Sequence, residues 1–141
     1  MSLADGLGAV GARFGIAALY AFGSRAVEIA SHVRRQAVTA EFPESDVDIG
    51  VQPARGRRRT GQERLRLAVE MEELLAEKRV DLVMLPEADP LLALDVIRGK
   101  LLYCRDADQQ AEDELCVLRP AGEQAPYAHE RWHLILAGTA P

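Results

Sequence analysis

Ser45-Asp46-Val47-Asp48-Ile49-Gly50-Val51 alternates polar with apolar residues and is followed by Pro53, the pattern of a short strand. Side chains two apart on a strand share a face, so Asp46 and Asp48 project together. Two ionised carboxylates side by side repel, a cation between them relieves the repulsion, and oxygen-only ligands suit Mg²⁺. The plainer alternative is a strand with a solvated acidic edge.

Upstream, Ile16 to Phe22 is a nearly all-apolar run that reads as a buried strand. It leads directly into Gly23-Ser24-Arg25-Ala26, and a helix is expected from there to about Gln36, with Ile29 and Val33 four apart. A strand, a Gly-Ser turn and a helix N-terminus form a phosphate-binding arrangement: glycine admits the phosphate, while the hydroxyl and the first amides donate to it. A plain strand-to-helix turn fits the same residues. Downstream, Arg79 to Leu85 is a third strand, with Val80, Leu82 and Met84 on one face and Asp81, Val83 and Leu85 on the other. Asp81 is a carboxylate in an apolar strand, a costly position unless a nearby arginine or a metal neutralises it.

The intervening segments follow from caps and periodicity. Ser2-Leu3-Ala4-Asp5 is a capping box for a helix with Leu3, Leu7, Val10 and Phe14 on one face; Gly6, Gly8 and Gly11 weaken it and Gly15 ends it. Arg34 to Ser45 reads as a loop. Arg55, Arg57, Arg58 and Arg59 form a basic cluster suited to nucleotide phosphates or an acidic partner, or to a solvated loop. Thr60 to Glu63 opens a helix expected to run to about Lys78. Asp89-Pro90 starts another, closed by Gly99, and Lys100 to Cys104 is a fourth strand. From Asp106 the chain is acidic and helix-prone to about Leu118, with a linker from Arg119 to Pro126 and a last helix from Tyr127 to Ala137. His129-Glu130-Arg131-Trp132-His133 fits a zinc-binding H-E-x-x-H, but only eight residues follow it, too few for the downstream third ligand of the common peptidases. An amphipathic terminal helix is the better reading.

The chain has 141 residues, enough for one domain with a real core. Its net charge of -5 argues against non-specific nucleic-acid or acidic-membrane binding. Cys104 and Cys116 are far apart, no secretory signal precedes the first helix, and no apolar run is long enough to span a bilayer. A reducing cytoplasm is the expected location.

Gly23-Ser24 after a strand, Ser45-Asp46-Val47-Asp48 on a strand and Val80-Asp81-Leu82-Val83 on a third strand together resemble the minimal nucleotidyltransferases of the DNA polymerase beta superfamily, in particular the antitoxin partners of HEPN-domain toxins. The resemblance covers about Ile16 to Asp106, and Ile97-Arg98-Gly99-Lys100-Leu101-Leu102-Tyr103 is similar to the family's closing strand. It implies an α+β fold, a mixed sheet of about four strands backed by helices, over residues 1–105, with a helical tail over 106–141 that packs on it or on a partner. It further implies that Asp46, Asp48 and Asp81 are catalytic and bind two Mg²⁺ ions, and that Gly23 and Ser24 hold the triphosphate of ATP. Arg25 is a candidate beside them, one for which the family's motif does not vouch. The implied reaction moves AMP from ATP to a hydroxyl, on a HEPN-type toxin.

One departure is the spacing. The segment from Arg25 to Ser45 is about twice the family's usual length, which a surface loop absorbs at small cost. Two further functions stay open: an interaction module that neutralises a partner without chemistry, and nucleotidyl transfer to a small molecule. Self-association is also left open.

Overall fold

The computed structural model describes residues 2–35, 45–55 and 60–120. Its elements run α1 (Leu3–Phe14), β1 (Ile16–Phe22), a 3₁₀ turn (Gly23–Arg25), α2 (Ala26–Val33), β2 (Val47–Pro53), α3 (Gly61–Leu75), β3 (Val80–Met84), a second 3₁₀ turn (Leu85–Glu87), α4 (Pro90–Ile97) and β4 (Lys100–Cys104). A further helix, α5, occupies 107–120. The expected helix at Tyr127 to Ala137, the H-E-x-x-H pattern, Arg57 to Arg59 and most of the long loop lie outside the described residues.

The four strands form one mixed sheet in the order β3-β2-β1-β4. β1 pairs antiparallel with both β2 and β4, and β2 pairs parallel with β3 through the α3 crossover. β1 is buried along almost its whole length, as its apolar run implies for a central strand.

Strand alternation sends side chains to two cores. Leu19, Ala21, Ile49, Val51, Val80 and Met84 pack with Leu7, Ile29, Leu67 and Met71 of α1, α2 and α3. On the other face Ala18, Tyr20 and Val83 pack with Ala93 and Val96 of α4, and Val117 of α5 packs against the same cluster. The Tyr20 hydroxyl also donates to Glu114 of α5 (3.2 Å). Burial is the main reason its ionisation is pushed up to about 12.

The caps are those the sequence implies. Ser2 and Asp5 form the capping box of α1, Thr60 Oγ1 accepts from the Glu63 amide, and Asp89 Oδ1 accepts from the amides of Leu91 and Leu92. The glycines of α1 do not break it, because two of them serve packing: a Cβ on Gly6 would fall 2.5 Å from a Leu74 methyl, and one on Gly11 2.5 Å from the Tyr103 ring. The helix comes closer to α3 and β4 than an alanine would allow.

Two helices end earlier than the sequence implies. α2 stops at Val33, with Arg35 left-handed (φ 59°). α3 stops at Leu75 because Ala76 turns left-handed (φ 57°, ψ 43°) and the amides of Ala76 and Glu77 return to Glu73 O and Glu72 O. This Schellman closure is usually made by glycine. An L-residue with a Cβ costs roughly 1–2 kcal/mol there. Ala76→Gly is therefore expected to raise the unfolding free energy by about 1 kcal/mol, read from urea midpoints at constant slope; a lower midpoint would contradict it.

Candidate active site

The parallel register sets Asp48 opposite Asp81, and the antiparallel register sets Phe22 opposite Asp48. Phe22, Asp48 and Asp81 thus form one row across β1, β2 and β3, with side chains on the α4 face of the sheet. Asp46, two residues before Asp48, lies on the same face at the mouth of β2. Gly23 follows Phe22 with φ 77°, and a Cβ there would fall 2.5 Å from Asp48 Oδ2. Gly23 and Ser24 are exposed in the 3₁₀ turn that runs into α2. The phosphate-type turn and the carboxylate pair, read separately from the sequence, therefore adjoin.

Arg79, which the sequence reading passed over, stands between carboxylates. Its Nε lies 3.5 Å from Asp46 Oδ2 and 3.6 Å from Asp81 Oδ1. The nearby arginine considered as the plain explanation for Asp81 is present. It is 71% exposed, so a competing cation can displace it cheaply. Among the described residues Asp48 makes no such pair. Burial, then the charges of Asp81 and Asp46, push its carboxyl above the usual range.

Among the described residues no three His, Cys, Asp or Glu side chains converge on a single metal position. Asp46 and Asp81 instead share a guanidinium. The donor set still suits a hard divalent cation: it is all oxygen, its members repel one another, and a positive group already stands between two of them.

A family model for polymerase beta nucleotidyltransferases matches residues 10–108, which span every strand and all three aspartates. The chain belongs to that family. No curated protein sequence matches it significantly. Among solved structures, a toxin–antitoxin complex with AMP-PNP aligns at TM-score 0.62 and 23% identity, over 97% of this chain and 98% of that one. A mutant of the toxin–antitoxin MntA–HpeT aligns at TM-score 0.62 and 22% identity, over 97% and 98%. The tri-AMPylated HEPN toxin of Shewanella oneidensis in complex with MNT antitoxin aligns at 0.60 and 21%, over 98% and 97%. At these identities the likeness is one of fold, and it extends past the family match to nearly the full chain.

On this nucleotidyltransferase frame Arg25 is not placed as expected. It was a candidate for the nucleotide, but it is only 5% exposed, whereas Gly23 and Ser24 of the same turn are exposed. Its guanidinium donates to both carboxylate oxygens of Glu28, both of Glu77, and Ser45 O. Arg55 is likewise paired, with Glu112 of α5 (3.0 Å). Cations do line a groove at the turn: Arg98 and Lys100 flank Phe22, Gly23 and Val27. Both belong to the run that resembles the family's closing strand, which was the signal available for them. The larger groove between α1 and α3, lined by Arg13, Leu65 and Val69, contains none of the aspartates.

Proposed function

We propose that the chain is a Mg²⁺-dependent nucleotidyltransferase that moves AMP from ATP to a hydroxyl on a partner protein, a HEPN-type toxin, and so silences it. The observation that carries this reading is the row of Phe22, Asp48 and Asp81 across three adjacent strands, with Asp46 beside it and Gly23, the first residue of the turn after Phe22, against Asp48. The neighbouring folds support the partner: they come from toxin–antitoxin complexes, one with AMP-PNP and one with a tri-AMPylated HEPN toxin. The free cysteines Cys104 and Cys116 fit a reducing cytoplasm.

Asp46, Asp48 and Asp81 would hold the metal, which supplies charge neutralisation on the attacking and leaving oxygens of an in-line displacement. Gly23 admits the triphosphate to the backbone, and the Ser24 hydroxyl and the turn amides donate to it. Arg98 and Lys100 draw the anionic nucleotide toward the groove. The acceptor oxygen attacks the α-phosphorus, the bond to the bridging oxygen breaks, and pyrophosphate leaves. The hydroxyl proton passes to the Asp81 carboxylate, which lies on the outermost strand and is half exposed. Incubating the chain with a HEPN-type toxin, Mg²⁺ and α-labelled ATP is expected to label the toxin. Asp46→Asn is expected to remove the label. No transfer by folded wild type would defeat the proposal.

A second reading has its own support. Leu115 and Leu118 of α5 are exposed while Val117 packs inward, so the helix presents apolar side chains to a partner. If neutralisation of the toxin survives Asp46→Asn but is lost on truncation after Tyr103, the chain acts by binding.

A further inference from the structure

Arginine carries five N–H donors, and those of Arg25 meet five acceptor atoms of three residues. Glu28, three residues on, accepts at 2.9 and 2.5 Å and fixes the plane of the guanidinium on its own helix. The other partners are distant in the chain. Glu77 accepts at 2.8 and 2.6 Å from the turn between α3 and β3, and Ser45 O accepts at 3.1 Å immediately before Asp46. Each of the three segments that meet here carries a piece of the candidate site. Arg25 follows Ser24, Ser45 precedes Asp46, and Glu77 lies four residues before Asp81. A backbone bond from the Val47 amide to Arg79 O (3.2 Å) closes the same corner.

The geometry points to Arg25 as a positioning residue that locks the Gly23-Ser24 turn, the start of β2 and the start of β3 into one spacing, with Glu77 as its working partner. This inference rests on the functional reading above, because the spacing matters only if a metal-bound nucleotide bridges the turn and the aspartates. Its chemistry suits the task. A planar fork with two bidentate carboxylates fixes angles as well as distances, which a lysine ammonium cannot do. Burial makes each bond count, and a buried charge left without its partner is expensive. Supporting groups of this kind typically change metal affinity or activity by roughly 10- to 100-fold when removed.

The test is a double-mutant cycle on the full chain. Mg²⁺–ATP affinity is measured by titration calorimetry, well below each melting temperature, for wild type, Arg25→Met, Glu77→Ala and the double variant. Both single variants are expected to lose at least about tenfold in affinity, and the double to lose no more than the worse single, since both cut one link. If Arg25 touched phosphate directly, Glu77→Ala would bind normally and the proposal would fall. If the network served folding alone, melting temperatures would drop with affinity unchanged, which overturns it equally. Amide exchange in the nucleotide-free protein gives a ligand-independent readout. Glu77→Ala is expected to speed exchange at Val47 by about tenfold or more while leaving Arg105, bonded to Ala17 O across the sheet, unchanged. A wild type that binds no Mg²⁺–ATP defeats the functional reading; unchanged exchange at Val47 defeats the clamp.

Discussion

Asp48→Asn is expected to abolish nucleotidyl transfer while raising the melting temperature of the metal-free protein. The loss of transfer is put at 1,000-fold or more, because several kcal/mol of charge stabilisation depend on the metal site and each ~1.4 kcal/mol is tenfold. The gain in stability has a separate origin. Asp48 is partly buried beside Asp81 and Asp46, so its folded carboxyl binds a proton more tightly than the unfolded one does. A group raised in this way contributes fully below its unfolded value, and the contribution is lost as pH rises through the folded one. At neutral pH the ionised Asp48 therefore weakens the fold, and the neutral amide does not. The expected sign is a higher melting temperature for Asp48→Asn at neutral pH, moderated by solvent screening of a carboxylate that is only partly buried. The difference between variant and wild type is expected to vanish at pH 3 and to open as pH rises past the ordinary aspartate value of about 4. Scanning calorimetry in EDTA at both ends of this range would check the sign. A variant less stable than wild type at pH 7 would mean that Asp48 makes a favourable contact the geometry does not show.

Gly23→Ala is expected to spare the fold and cripple the site. Its φ of 77° suits glycine, and an alanine there costs roughly 1–2 kcal/mol. The larger effect is local. The new methyl would stand 2.5 Å from Asp48 Oδ2, and Asp48 is too short to yield without turning its carboxylate away. Displacing a reacting group by ~1 Å can cost about 100-fold in rate, so transfer is expected to fall by about that much. Far-ultraviolet circular dichroism is expected to match wild type. Normal transfer by the folded variant would show that the Gly23 backbone and Asp48 do not act as a unit.

What was legible in the sequence was local. Alternation at Val47 to Val51, the apolar run at Ile16 to Phe22 and the caps at Ser2, Thr60 and Asp89 placed the strands and helix starts, because each signal acts within a few residues. Asp46, Asp48 and Asp81 could be nominated because carboxylates on apolar strands are conspicuous. The pairing of Arg25 was only partly legible: Glu28 is three residues on, but Ser45 and Glu77 are 20 and 52 residues away. Gly6 and Gly11 were read by helix propensity, but tertiary approach to Leu74 and Tyr103 decides those positions. The end of α3 was set too late because an alanine occupies the left-handed position that a glycine would have advertised.

The bond from Arg25 to Ser45 O also bears on how the chain can diversify. It secures the backbone immediately before Asp46 from a side chain 20 residues upstream. A change of length upstream of Ser45 is therefore expected to leave the placement of Asp46 unchanged so long as this bond survives.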